Sequence, residues 1–169
     1  GIMAALMCIA GPLSFPLPFS PVPITLTNAV IYVAAILLGA RRAAVSVLIY
    51  LLLGLAGLPV FSGWSGGIAK LAGPTGGYLI GFLFVAWICG QVSEHTPRPA
   101  LMICGFAFAT TVLYGFGTLW LAWQADLTFM QALVAGVIPY IPFDLAKMIL
   151  SVLTATELKK RLIAGGIRL

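Results

Sequence analysis

The stretch IPYIPFDLAKMILSVL, residues 138–153, carries two charged side chains one helical turn apart in an otherwise apolar run. An Asp or a Lys at the bilayer centre costs about 2.5–3.5 kcal/mol on insertion scales. Asp144 and Lys147 therefore either neutralise each other or face a cavity that holds something polar. At this spacing they share a helix face and can form an ion pair. If they face a cavity instead, Lys147 offers its ammonium to an anionic ligand group, while Asp144 accepts hydrogen bonds from N–H donors.

The chain as a whole has the composition of an integral membrane protein. Of its 169 residues, 62% are hydrophobic and 8% are charged, whereas soluble domains have about 25% charged residues. A helical span needs about 20 apolar residues, so the chain has room for six crossings. The sequence lacks the short alternating segments of a membrane β-barrel. We therefore predict an all-α integral membrane protein with six transmembrane helices.

Apolar runs separated by Pro, Gly and charged residues divide a single membrane domain, residues 1–169, into six spans. These spans are expected at about 2–13, 24–40, 43–58, 78–92, 100–123 and 142–162. Three longer connections, rich in Gly, Pro and aromatic residues, cover 14–23, 59–77 and 124–141. The first of them, SFPLPFSPVP, has too many prolines for a helix interior.

Lysine and arginine are unevenly distributed between the two ends of these spans. With an even number of crossings, seven of the nine basic residues fall on the side of both termini. They are Arg41, Arg42, Arg98, Lys159, Lys160, Arg161 and Arg168. Because cytoplasmic loops are enriched in Lys and Arg, we expect both termini in the cytoplasm. A binding site should then open to the outside, among the three longer connections.

Patterns for catalysis or nucleotide binding are missing from the sequence. It has no His-Glu-x-x-His, no Gly-x-Ser-x-Gly and no phosphate-binding loop. Cys8, Cys89 and Cys104 have spacings unlike a metal or redox motif. We therefore expect neither an enzyme nor a bound cofactor, and the net charge of +5, clustered at the ends of apolar runs, does not indicate nucleic acid.

Glycine-rich segments and a pair of small residues are further candidates for binding. GPTGGYLIGF (73–82) allows a ligand to approach the backbone, although Gly-Gly in a membrane protein is more often helix packing or a turn. Trp64, between glycines in FSGWSGG (61–67), favours a ligand lid. Ala4 and Cys8, at i,i+4, would let another helix approach closely, either from a partner or from within the chain.

Four motifs in this order resemble the BioY family, the biotin-specific S-components of energy-coupling factor (ECF) transporters. They are PVPIT (21–25), GLPVFSG (57–63), GPTGGYLIGF (73–82) and PYIPFDLAK (139–147). The resemblance covers essentially the whole chain. It implies a six-helix S-component fold in a prokaryotic cell membrane, with biotin held in an outer pocket that the first and third outside loops close.

The resemblance also implies particular ligand-binding residues. Lys147 would meet the carboxylate of biotin, with Asp144 in the same polar cluster. Residues of the glycine-rich loop and the following turn would surround the rings, and the candidates are Trp64, Thr75, Gly76, Gly77 and Tyr78. Asn28 joins these candidates, since it follows Thr27 at the place where the family often has Gln.

The same resemblance implies partner subunits. The face of the first helix that carries Ala4 and Cys8 would meet the transmembrane coupling subunit, and two cytoplasmic ATPases would supply energy. Two alternatives stay open on the sequence. The chain could be an S-component for another small anionic vitamin, or a facilitator that transports biotin without energising subunits.

Overall fold

The structure, a computed structural model, describes residues 1–18 and 20–166 and is mostly helical. Its helices are α1 (Ile2–Ala10), α2 (Thr27–Leu55), α3 (Ile68–Leu71), α4 (Gly76–His95), α5 (Pro99–Gln124), α6 (Phe129–Gly136) and α7 (Ile141–Ala164). A 3-10 turn, Ile138–Tyr140, connects α6 to α7. The bounds of α4, α5 and α7 lie close to those of the last three predicted spans.

A short β-hairpin joins α1 to α2 and accompanies the predicted helices in this mostly helical fold. Strand β1 (Ser14–Leu17) pairs with β2 (Ser20–Thr25) in antiparallel register, Ser14 opposite Thr25. Prolines 16, 21 and 23 exclude a helix here. They are compatible with strands of a two-stranded sheet, in which each strand has an edge without a hydrogen-bonding partner.

Among the described residues, four helical stretches are long and apolar enough to cross a membrane, namely 27–55, 76–95, 99–124 and 129–164. The first of them is interrupted at Gly39. The last of these runs from α6 through the 3-10 turn into α7. Helix α1 has only nine residues, fewer than a full span requires. Of the six predicted spans, the first therefore corresponds to the shortest helix among the described residues.

Helix α2 reverses direction at Gly39, whose φ of 77° and ψ of 179° are not helical. In a straight helix Thr27 and Tyr50 would be roughly 34 Å apart, yet both line one cavity of about 50 Å³. The helix therefore consists of two arms, residues 27–38 and 40–55, that lie side by side. The sequence predicted this break at Arg41-Arg42; it falls at Gly39 because a positive φ strongly favours glycine.

The centre of the bundle is the contact of α4 and α5 with the two arms of α2. Gly90 of α4 lies directly against the backbone of Ala40. Tyr32 and Phe106 pack with ring centroids 5.5 Å apart, and the Tyr32 hydroxyl is 2.8 Å from the hydroxyl of Thr110. Since these side chains are buried, the core is continuous from α2 to α5.

The two ends of the bundle differ in charge. At one end, Arg41, Arg42, Glu94 and Lys159 line a cavity of about 430 Å³. The hairpin, the 59–67 segment and the 3-10 turn meet at the other end, where Ser14 Oγ accepts from the Gly63 N–H at 2.9 Å. That the basic end faces the cytoplasm stays a prediction, and Arg168, one of the residues behind it, lies outside the described residues.

A candidate ligand-binding site beneath the hairpin

The carboxylate of Asp144 is the centre of a buried polar cluster. Its Oδ1 accepts hydrogen bonds from Asn28 Nδ2 at 2.8 Å and Lys147 Nζ at 3.1 Å. Its Oδ2 accepts from the Tyr114 hydroxyl at 2.7 Å. Asp144 also lies in the first turn of α7, where the helix dipole favours a negative charge. The carboxylate is therefore stabilised by donors from three helices and by its own helix end.

Lys147 connects this cluster to the hairpin. Besides the Asp144 carboxylate, its ammonium donates to the carbonyl oxygen of Thr25 at 2.7 Å. An ammonium has three N–H donors, and these two bonds are the ones it makes among the described residues. Since Lys147 also lines a cavity, its remaining donor can serve a ligand. Lys147 can thus form an ion pair with Asp144 and bind a ligand at the same time, so the two interpretations of this charge pair are compatible.

Two small cavities lie beneath the hairpin, one of about 60 Å³ beside Asp144 and one of about 50 Å³ beside Tyr50. The residues that line both are Val22, Pro23, Thr25, Tyr78 and Phe82. Pockets for drug-sized ligands measure about 300–1,000 Å³. Each of these two cavities is therefore smaller than a pocket for such a ligand.

The structure brings five of the predicted ligand-binding residues to these cavities. Asp144, Lys147, Asn28 and Tyr78 line the first cavity. Thr75 lines the second one, on the far side of Tyr78. These residues come from α2, α4 and α7 and from the end of the 59–75 connection, so their proximity results from the packing of the bundle.

Gly76 and Gly77 have a packing role that differs from the predicted ligand contact. A Cβ on Gly77 would lie 2.3 Å from the side chain of Trp120, and one on Gly76 would lie 1.7 Å from the Leu71 carbonyl oxygen. Trp120 Nε1 also donates to the Gly73 carbonyl at 3.0 Å. The alternative reading of this segment, helix packing and a turn, therefore describes both glycines.

The structure does not bring Trp64 to the two cavities, so its contact with a ligand stays a prediction. Its side chain is 69% exposed, and it does not line either cavity beneath the hairpin. Its φ of 58° is uncommon for a bulky residue. Gly63 and Gly67, on either side of it in the same loop, also have positive φ.

The small residues of α1 pack within the chain. Ala4 is only 2% exposed, and Cys8 is half-buried against the core. The exposed face of this helix carries Ile2, Leu6 and Ile9 instead. The partner contact expected at Ala4 and Cys8 stays a prediction, and in this structure Ala4 packs inside the chain.

Tyr114 is the residue of the cluster that the sequence reading missed. It lies in α5 with Thr110 and Thr118, one turn before and one turn after it. Polar groups at i, i+4 and i+8 in a membrane helix share one face, and that spacing could have indicated a polar lining. The carbonyl of Thr25 could not have been found this way, because every residue has one.

A polar cluster buried in a helical membrane bundle and roofed by a hairpin defines a membrane protein that captures a small solute. The BioY family model matches residues 1–164. The chain belongs to the BioY family, which confirms the resemblance stated from the four motifs.

Similar proteins cover nearly the whole chain. It is 35% identical to the biotin transporter BioY of Thermotoga maritima, over 95% of this chain and 93% of that protein. It is 42% identical to the biotin transporter BioY of Rhizobium etli, over 81% and 78%. The crystal structure of the S-component for biotin from an ECF-type ABC transporter matches with a TM-score of 0.85 at 33% identity, covering 94% of this chain and 87% of that one. The fold is therefore that of an ECF S-component, and the chain is a multi-pass membrane protein.

Proposed function

We propose that this protein captures biotin for uptake, as the substrate-binding membrane subunit of an ECF-type transporter. The observation that carries the proposal is the Asp144–Lys147 cluster beneath the hairpin, in a chain of the BioY family. The relatives named above are transporters of biotin. Their names support a transport function rather than a catalytic one.

The chemistry of the cluster suits a ligand with an apolar body and an anionic tail. Burying a carboxylate without a cation is costly, and Lys147 supplies a cation with a free donor at the cavity. The rings of Tyr78 and Phe82 line the same cavity and would contact the bicyclic body. Asp144 already accepts three hydrogen bonds, so its role is to hold Lys147, Asn28 and Tyr114 in place.

The hairpin acts as a lid in this proposal. Its residues separate the two small cavities, and an outward movement of β2 would join them into one larger pocket. Two contacts hold it to other connections. Gly63 donates to Ser14, and the Tyr140 hydroxyl lies within hydrogen-bond distance of Ser20 Oγ, at 2.8 Å, and of the Val22 carbonyl oxygen, to either of which it can donate its one proton.

Replacing Tyr140 by Phe is expected to speed the opening of the lid. The variant loses the hydroxyl contacts to β2 and keeps the ring, so biotin should dissociate about five- to tenfold faster, the effect of one net hydrogen bond. Stopped-flow measurement of dissociation checks this. Tyr32→Phe is the matched control, because its hydroxyl bonds to Thr110 in the core and should leave the rate unchanged. Equal rates in wild type and Tyr140→Phe would show that this contact does not hold the lid.

The proposed partners are an ECF transmembrane coupling subunit and two cytoplasmic ATPases. An ECF system is supported by the solved S-component, which comes from an ECF-type ABC transporter. With both termini in the cytoplasm, the basic end would face the ATPases and the hairpin would face the outside. Among the described residues of α1, the exposed ones are Ile2, Ala5, Leu6 and Ile9, and these would be available to contact the coupling subunit.

Calorimetry of biotin with the purified protein tests the proposed function. One-to-one binding that a panel of other small anionic vitamins does not reproduce would support it. No binding of biotin would overturn it, and binding of another vitamin would favour the alternative S-component. Biotin uptake by cells that lack all energising subunits would instead indicate a facilitator.

A further inference from the structure

A large cleft lies between α5 on one side and α6 and α7 on the other. Its volume is about 510 Å³, several times that of the cavities beneath the hairpin. Gly115, Leu133 and Met148 contribute to its largely apolar lining. Ile138 and Ile141 also line it and are almost half exposed. The cleft is therefore continuous with the apolar surface that the membrane surrounds.

The cleft shares a wall with the candidate ligand site. Tyr114 and Asp144 line both the cleft and the small cavity beside Lys147. The hydrogen bond between them, at 2.7 Å, is part of this wall. An occupant of the cleft would thus contact Tyr114, which also lines the proposed ligand cavity.

The threonine hydroxyl groups that line the cleft show where a molecule in the cleft could make a hydrogen bond. Those of Thr110 and Thr111 donate to helix carbonyls four residues earlier. Thr118 is 1% exposed and also lines the cleft. Its Oγ1 is a buried polar atom without a hydrogen-bond partner among the described residues. The neighbouring Tyr78 hydroxyl donates its proton to the Gly136 carbonyl at 3.2 Å. Its oxygen is outside hydrogen-bond geometry with Thr118 Oγ1, so the Thr118 proton has no acceptor among the described residues.

We propose that one acyl chain of a membrane phospholipid occupies this cleft, with its ester carbonyl accepting from Thr118. An empty space of this size would deprive its walls of packing contacts, and an apolar lining offers water few partners. Thr118 lies near the end of α5 where the hairpin is, and Thr110 lies roughly 12 Å deeper. A chain that enters beside Thr118 and extends toward Thr110 places its ester linkage at Thr118 Oγ1, a buried polar atom that has no partner among the described residues.

Native mass spectrometry of the full chain, extracted in mild detergent, tests the lipid site directly. A Cβ at Gly115 meets nothing within 4 Å, so Gly115→Trp can fill the cleft from its wall. The matched control is Leu119→Trp, one turn further along α5, where the side chain is 61% exposed and does not line the cleft. Wild type and control should retain one phospholipid, Gly115→Trp should lose it, and Thr118→Val should retain several-fold less. Equal retention in all four proteins would overturn the proposal.

A second measurement tests the effect on the ligand site, which rests on the proposed function. Removing lipid should weaken biotin binding about tenfold in wild type, the order of a hydrogen bond to a charged group, because Tyr114 loses its support. In Gly115→Leu, the new side chain would fill part of the cleft beside Tyr114 in place of the lipid. This variant should therefore bind biotin equally with and without lipid. Retained lipid in Gly115→Trp with loss of biotin binding would assign the cleft to the ligand and overturn the proposal. A wild type that keeps its lipid and binds no biotin would count against the proposed function alone.

Discussion

Replacing Lys147 by Ala is expected to weaken biotin binding at least about 100-fold while the protein stays folded. Removing one partner of a buried charge pair costs about 2–5 kcal/mol or more. The fold should survive, because the Asp144 carboxylate keeps its hydrogen bonds from Asn28 and Tyr114. Calorimetry gives the affinity, and thermal unfolding in detergent reports whether the variant is folded.

Two controls separate a ligand contact from a purely structural ion pair. An uncharged amide of biotin lacks the carboxylate, so wild type and Lys147→Ala should bind it similarly. Lys70 is the other basic residue near the hairpin, where it lines a separate cavity with Ser14 and Ser20. Lys70→Ala should change the affinity by no more than about threefold, as for an exposed charge. Loss of folding in Lys147→Ala, with biotin still bound by the folded remainder, would establish the structural role.

Replacing Gly90 by Ala is expected to destabilise the bundle by about 2 kcal/mol or more. The new Cβ would lie 2.2 Å from Cα and 2.4 Å from the backbone nitrogen of Ala40. Backbone atoms cannot move aside as a side chain end can, so α4 must separate from α2. Overpacking costs about 1–3 kcal/mol or more, and the better helix propensity of Ala returns only about 1 kcal/mol.

The matched control for this prediction is Gly115→Ala in α5. It makes the same substitution in a helix interior, but its Cβ meets no atom within 4 Å. We expect it to be neutral or slightly stabilising. The unfolding midpoint of Gly90→Ala should fall by about 4–8 °C. Equal midpoints for the two variants would mean that α4 and α2 do not pack tightly at Ala40.

The site residues that could be predicted from the sequence are those that lie close together along the chain. Asp144 and Lys147 are one turn apart in an apolar run, so helix periodicity alone predicts that they share a face, and they do form an ion pair at 3.1 Å. Thr75, Gly76 and Gly77 form one motif, yet only the first lines a cavity beneath the hairpin. The other two accommodate Trp120 and Leu71, and a glycine required for packing cannot be distinguished by sequence from one required for a ligand.

The amino-acid sequence by itself determined a helical membrane protein, a charge pair in its last span and membership in the BioY family. Composition, periodicity and ordered motifs are properties of neighbouring residues, so they can be read without a fold. Only the tertiary structure decided which donors surround Asp144, since Asn28 is 116 residues away and Tyr114 is 30 residues away. It also decided the reversal at Gly39, the exposure of Trp64 and the cleft behind Tyr114. These depend on how helices distant in sequence pack, because a cavity exists only between their surfaces.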